Sequence, residues 1–361
     1  MKSFVVNKSD LDFNIKKIKE MAGDAKVIAV LKGYGYGLGL CGFATILKEN
    51  GIDFFAVSEL DEAIVLRNAG FDDEILLLTA TCDESEIATA LDNNVTLAVG
   101  SALCMETVDR LAGEKGVKAK AHLKVDTGFG RFGFLPNDAK NVCEMAKDKQ
   151  NILFEGIFSH FSFSFSPDRK DAQLQFDRFK ACIDVFKENG MSLMAHICNS
   201  CAFLQYKDMH LDAVRVGSAF LGRLPLVNNY GLKRIGHLKS SVVEVKTIPK
   251  GYYVGYANTY KTKRETTIAI VPVGYKDGFG VEKSKDTFRI NDVLRYMFND
   301  FKSLGKRLTV VVNGKSANII GRVSMYNIVL DITGMDINVG DECILSANPI
   351  LVSRDITREY I

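Results

Sequence analysis

Between Lys26 and Arg215, eight short β-rich apolar runs alternate with longer stretches of helical period, and this alternation constrains the fold more than any other feature of the chain. The runs are VIAVL from Val27, DFFAV from Asp53, EILLL from Glu74, VTLAV from Val95, VKAKAHLKV from Val117, ILFEGIFSH from Ile152, SLMAHI from Ser192 and LDAVRV from Leu211. The segments between them, such as SELDEAIVLRNAG and DAQLQFDRFKACIDVFKENG, space apolar residues at three and four and often end in glycine, as helices do. Strands separated by helices pair in parallel. An open doubly wound sheet would give a similar pattern, but eight units is the number that closes a TIM barrel.

A chain of 361 residues exceeds the usual size of one hydrophobic core. After about Leu224 the texture changes to strands separated by turn residues: SSVVEVKTI, TTIAIVPVGY, RLTVVVNG, SANIIGRVSMYNIVLDIT and DECIL. One stretch among them, NDVLRYMFNDFKSLGK, has helical period and reads as a helix inserted between two strands. The expected fold is therefore α/β, an N-terminal (β/α)8 barrel over 8–230 followed by a β-rich domain over 231–361, with residues 1–7 available to pack with the second domain.

Forty-six basic against forty-four acidic residues, with no long basic run, call for neither nucleic acid nor an anionic membrane, and favour a small-molecule partner. The N-terminal segment, MKSFVVNKSDLDFNIKKIKEM, has no uninterrupted apolar core, so it reads as neither signal peptide nor membrane span, and a cytoplasmic protein is expected. Eight cysteines lack the dense spacing of a disulfide scaffold and read mainly as core filler. Cys198 and Cys201, in CNSC, have redox or metal-ligand spacing but no second pair to complete a zinc site.

In a barrel of this kind the loops after the strands build the active site, and the unusual residues fall there. Lys32 ends the first run, Arg131 follows the fifth, His160 closes the sixth, Asn199 and Ser200 follow the seventh, and Arg215 with Gly217 closes the eighth. A lysine where a buried strand meets a pocket has its pKa lowered by desolvation and can form a Schiff base; the alternative is an ordinary strand-end lysine reaching solvent. Two glycines before Arg131 let the backbone aim its planar guanidinium inward, toward a carboxylate or a structural salt bridge. His160, ending an apolar run, is either catalytic or a hydrogen-bonded core residue. Gly217 and Ser218 offer amides and a hydroxyl where barrels commonly hold phosphate. GLGLCG from Gly37 is formally a GxGxxG, but it starts several residues past the strand end, unlike a dinucleotide fingerprint.

With these residues placed, the sequence resembles the alanine racemase family through most of its length. AVLKGYGYGLG is similar to the family's AVVKANAYGHG, which implies that Lys32 carries pyridoxal phosphate and that Tyr36 contacts its phosphate. HLKVDTGFGRFGF resembles the family's barrel motif, implying Arg131 for the substrate carboxylate and Lys124 as a lysine that some members carbamylate. GIFSHF supplies His160, HICNS supplies Ser200, and AVRVGSAFLG supplies Arg215, Gly217 and Ser218 as cofactor contacts. VGYANTY resembles VSYGATY and implies Tyr256 as a second base; PVGYKDGF resembles PIGYADG and implies Tyr275, with Met325, at the substrate.

The resemblance implies a homodimer in which Tyr256 enters the partner's site, and a role in supplying D-alanine for a bacterial cell wall. Arg215 facing the pyridine nitrogen would leave that nitrogen neutral. Three features depart from the family: Ser324, Met325, Tyr326 and Asn327 stand for CMDQ, Leu38 stands for a histidine before Gly39, and the C-terminus is short, with Tyr360 nearest the family's terminal tyrosine. Tyr326 in place of an aspartate leaves serine or another small amino acid as an alternative substrate. A non-catalytic pyridoxal-phosphate-binding protein generally lacks the second domain, and a decarboxylase would need an acidic residue where Arg215 stands.

Overall fold

The computed structural model describes residues 2–166, 168–282, 284–285 and 288–361. It divides into two compact units, one spanning Asn7–Ile235 and the other joining the first strand, β1 (Ser3–Val6), to Gly236–Ile361.

The first unit is a closed parallel barrel of β2 (Lys26–Val30), β3 (Phe54–Val57), β4 (Glu74–Leu77), β5 (Thr96–Val99), β6 (Ala119–Lys124), β7 (Ile152–Phe158), β8 (Met194–His196) and β9 (Ala213–Val216). β9 returns to β2 with Ile28 opposite Arg215, so the expected barrel is the one formed. Its strands are short and nearly continuously apolar because both faces are buried. Ile28, Val30, Phe54, Ala56, Leu76 and Ala213 pack into one cluster.

The helix Lys8–Ala22 shows how local sequence seats the outer layer. Asn7 caps it by accepting the Asp10 N–H at 3.0 Å, Leu11, Ile15, Ile18 and Ala22 are buried along one face, and Gly23 ends it at φ 61°. Asn14 lies on the same buried face and is satisfied there. Its amide donates to the carbonyls of Phe220 at 2.8 Å and Lys233 at 2.7 Å, and its oxygen accepts the Lys233 N–H at 2.8 Å, pinning the chain that leaves β9.

The second unit holds β10 (His237–Ser241), β11 (Glu244–Ile248), β12 (Tyr253–Val254), β13 (Tyr260–Lys261), β14 (Thr266–Val271), β15 (Thr309–Val312), β16 (Lys315–Ile320), β17 (Ile328–Asp331), β18 (Glu342–Leu345) and β19 (Thr357–Tyr360). Nine strands form one sheet in the order β11-β14-β17-β16-β15-β18-β10-β1-β19, and β12 and β13 form a separate hairpin. β1 and β19 pair in parallel, whereas the other neighbours are antiparallel. The run SSVVEVKTI is split by a change of partner: Val242 donates to Asp341 beside β18, and Val243 to Ile270 in β14. The inserted helix runs Ile290–Ser303, between β14 and β15.

Six of the eight cysteines are buried, Cys198 and Cys201 among them, as core filler should be. Among the described residues no helix is long and apolar enough to cross a membrane. Replacing Asn14 by alanine orphans two carbonyls and an N–H in a buried site, and should destabilise the first unit by about 2–4 kcal/mol. Urea denaturation followed by far-ultraviolet circular dichroism measures this; an unchanged midpoint would show that water replaces the amide at no cost.

Candidate active site

The backbone after β2 is unusual. Lys32–Tyr36 forms a single left-handed turn, with Gly33 at φ 65°, Tyr34 at 58°, Gly35 at 64° and Tyr36 at 52°. Such a conformation costs roughly 1–2 kcal/mol at each residue that carries a Cβ. The alternating glycines remove that cost at every second position. Glu62, a buried carboxylate on the helix after β3, holds the turn by accepting the N–H of Tyr34 at 3.0 Å and of Ser58 at 3.3 Å.

Lys32 heads this turn, at the C-terminal end of β2, and is exposed. Its pKa is lowered by desolvation against the mouth walls and then by the positive charges of Arg131 and Arg215, with Glu62 opposing. Lys124, the last residue of β6, donates to the Leu78 carbonyl at 2.6 Å and lies 5.0 Å from the Phe132 ring and 5.2 Å from that of Phe158. Desolvation, followed by Arg131 and Arg215, brings it down to about 7.

Arg131 sits at the end of a loop organised by Asp126. The Asp126 carboxylate accepts the N–H groups of Gly128, Phe129, Gly130 and Arg131 at 2.8–3.1 Å. Burial pushes that carboxyl up, but the four backbone bonds outweigh it and hold it below the usual range. Backbone bonds of 2.8 and 2.9 Å between Asp126 and Phe134 and between Phe134 and Lys124 close the loop, and the Arg131 guanidinium lies 4.3 Å from the Phe129 ring centroid.

Arg215, on β9, is 3% exposed. Its guanidinium donates to His196 Nδ1 at 2.6 Å, the His196 carbonyl at 3.0 Å, the Ser159 carbonyl at 2.6 Å, the Ile197 carbonyl at 3.2 Å and His160 Nδ1 at 3.2 Å. No carboxylate is among these partners. Desolvation draws its pKa down to about 10, which still leaves it cationic at neutral pH. His160, after β7, is held well below its usual pKa by desolvation, then by Arg215, Lys32, Arg131 and Lys124. It is neutral, accepts at Nδ1 and keeps its proton on Nε2.

Beside this cation group lies a small polar cradle. The Ser200 hydroxyl accepts the N–H of Gly217 at 3.0 Å and of Ala219 at 3.2 Å. The Tyr36 phenol reaches the same place: a Cβ built on Gly217 would lie 2.4–2.6 Å from its ring and oxygen, so no other residue fits at 217. Desolvation raises the Tyr36 pKa to about 12, so the phenol keeps its proton. Ser218 opens the short helical turn that follows.

The barrel thus gathers Lys32, Tyr36, Lys124, Arg131, His160, Ser200, Arg215, Gly217 and Ser218 at the ends of its strands. The other candidates lie in the second unit. Tyr256 opens a short turn after β12 and is 72% exposed. Tyr275 donates its N–H to the Ser324 carbonyl at 3.0 Å, and Lys276 donates to that of Met325 at 3.2 Å, which brings Tyr275, Met325 and Tyr326 to one exposed surface. Tyr360 lies in the edge strand β19.

Three residues not singled out from the sequence also shape the site: Glu62, His196 and His122. The last two are buried and joined Nε2 to Nδ1 at 2.8 Å, extending the Arg215 network down the barrel. Among the described residues no His, Cys, Asp and Glu cluster could hold a metal ion.

Replacing Arg131 by methionine removes a cation from beside both amines, so Lys32 and Lys124 should each titrate at higher pH than in the unaltered protein. Carbon-13 resonances of reductively methylated lysines report both; unchanged midpoints would leave desolvation and Arg215 as the causes.

Comparison with known proteins accords with this arrangement. The family model described as alanine racemase, N-terminal domain, matches residues 6–225, and that described as alanine racemase, C-terminal domain, matches residues 235–357. An alanine racemase of Clostridium tetani is 34% identical over 93% of this chain and 84% of its own length. Alanine racemase 2 of Caldanaerobacter subterraneus is 33% identical over 94% and 84%. A solved alanine racemase of Clostridium difficile 630 superposes with a TM-score of 0.88 at 27% identity, covering 100% of this chain and 95% of that one.

Proposed function

The chain belongs to the alanine racemase family and is an amino-acid racemase; from that premise we propose that it interconverts L- and D-alanine with pyridoxal phosphate, Lys32 and Tyr256 serving opposite faces of the substrate Cα. The observation that carries this reading is the surplus of cations at the barrel mouth. Lys32, Lys124, Arg131 and Arg215 stand close enough to lower one another's pKa or that of His160. The carboxylates beside them, Glu62 and Asp126, already accept backbone N–H groups on both oxygens. A ligand with anionic groups at two ends satisfies such a site.

The residues present fit pyridoxal phosphate. The bare Cα of Gly217 lets the Tyr36 ring pack directly against it, which brings the phenol beside the Ser200 hydroxyl. Because the Ser200 oxygen already accepts two N–H groups, its own hydrogen is left to donate to a phosphate oxygen. Tyr36, Ser200, Gly217 and Ser218 would hold that end, while Arg215 and His160 would meet the ring. When bound, the group supplies an electron sink that acidifies the Cα–H of an attached amino acid.

The chain's own residues do the rest. Lys32, whose pKa its surroundings lower, would hold the cofactor and would move a proton at the substrate Cα on one face. Arg215 keeps its proton, so a ring nitrogen held beside it would stay neutral and the sink would stay weak, which would disfavour transamination. Arg131 would bind the substrate carboxylate, with Tyr275 and Met325 lining the approach. Tyr256 would supply the opposite face from a second subunit, oriented by the Nε2–H of His160, and a homodimer follows. The low pKa of Lys124 leaves an amine to which carbon dioxide adds with loss of a proton, and the resulting carbamate would pair with Arg131. A cytoplasmic supply of D-alanine for a bacterial cell wall suits this reading.

The deciding assay adds pyridoxal phosphate, then L-alanine and, in parallel, L-serine because of Tyr326, with chiral analysis of the products. D-alanine should appear, and Lys32→Ala and Tyr256→Phe should each lower the rate by about 10²–10⁴-fold. If Tyr256 acts across subunits, mixing the two inactive variants should restore about a quarter of the activity, since half the dimers then hold one intact site. No racemisation of either amino acid would sink the assignment, and no rescue on mixing would place Tyr256 with its own barrel. Carbon-13 bicarbonate should give a carbamate resonance that disappears in Lys124→Ala; its absence from the unaltered protein would remove the carbamate.

A further inference from the structure

The inserted helix Ile290–Ser303 has no buried residue. Ile290, Leu294, Met297, Phe301 and Leu304 recur at spacings of four and three, share one stripe, and are each 56–79% exposed; Val293 and Phe298 flank them. A helix of this length is marginal in water unless its apolar face is covered. A contiguous apolar stripe rimmed by charge marks a surface that another molecule occupies.

We propose that a second copy of this chain covers this stripe, within the same dimer that carries Tyr256 into a partner's barrel. The proposal rests on that reading of the dimer, and two observations favour it. The first is continuity. The insert leaves the sheet after the segment that bonds Tyr275 and Lys276 to the backbone of Ser324 and Met325. It returns with the Arg307 guanidinium 5.0 Å from the centroid of the Tyr260 ring, four residues beyond Tyr256. The helix thus lies in a segment that starts shortly after Tyr275 and ends against Tyr260, four residues beyond Tyr256.

The second is charge. Residues 2–6 and 236–361 carry 19 basic against 13 acidic side chains, and the stretch 282–308 alone carries seven against four. Residues 7–235 carry 27 basic against 31 acidic. A basic second unit and an acidic barrel in one chain are complementary between copies, and a two-fold dimer makes that contact twice. An anionic membrane is a poorer match for the helix itself, whose polar side presents Asp292, Asn299 and Asp300 beside Arg295 and Lys302, with Asp292 and Arg295 paired at 2.8 Å.

Sedimentation velocity on the cofactor-loaded full chain tests the proposal, comparing the unaltered protein with the double variant Leu294→Glu/Phe301→Glu and with a variant in which residues 288–305 are replaced by a short Gly-Ser turn. Both should weaken the dimer at least tenfold, while circular dichroism shows both units folded. Amide exchange across 290–304 should slow as the unaltered protein is concentrated through its dimerisation range. Dimer affinity unchanged in both variants, or protection of these amides only by phosphatidylglycerol vesicles, would overturn it. The mixed-subunit assay reads the role of Tyr256 separately, so racemisation without a helix-dependent dimer, or the reverse, tells which of the two inferences failed.

Discussion

A guanidinium buried in the barrel without a carboxylate governs the rest of the site. Arg215 can only donate, and among the described residues every acceptor it finds is neutral: three carbonyls and two imidazole nitrogens. Because both histidines must accept at Nδ1, their protons are fixed on Nε2. His196 then donates from Nε2 to His122 Nδ1, which fixes the third tautomer as well. One cation thereby sets the orientation of three rings, and desolvation with the charge of Arg215 keeps all three below their ordinary pKa.

The same charge reaches the lysines. Lys32 and Lys124 feel Arg131 and Arg215 after desolvation, so two groups that are ordinarily cationic are brought toward neutrality where covalent chemistry needs free amines. An Arg–carboxylate pair at position 215 would weaken this, because a neutralised guanidinium would add nothing to the effects of desolvation and Arg131. The absence of a carboxylate from its hydrogen-bond partners among the described residues therefore lets a structural network add to the lowering of the Lys32 pKa.

The barrel was legible because its signal is a count. Eight apolar runs separated by helical stretches admit few arrangements, and the chemistry-bearing residues at their ends stood out against aliphatic neighbours. Glu62, His196 and His122 were not legible for the converse reason. An inward position on a barrel strand reads as core, and a carboxylate on the first turn of a helix reads as a favourable charge near its N-terminus. Only the fold brings Glu62 back to the N–H groups of Tyr34 and Ser58. In the second unit the strands were legible but their order was not. β1 and β19 come from opposite ends of the chain, and SSVVEVKTI changes partner between Val242 and Val243, features that depend on long-range pairing.

The turn bearing Lys32 shows how that sequence resolves a conflict. Alternating glycines at 33, 35, 37 and 39 would give an isolated peptide great freedom, the opposite of what a positioned amine requires. In the folded chain the glycines permit a left-handed turn at modest cost, while Tyr34 and Tyr36 supply what selects it. The Tyr34 N–H is held by Glu62, and the Tyr36 ring packs against Gly217. Flexibility in the sequence is thus converted into a fixed path by two contacts that lie on either side of Lys32, one to the β3 side of the barrel and one to β9. With that backbone fixed, the Cα of Lys32 is held at the C-terminal end of β2, where the barrel opens.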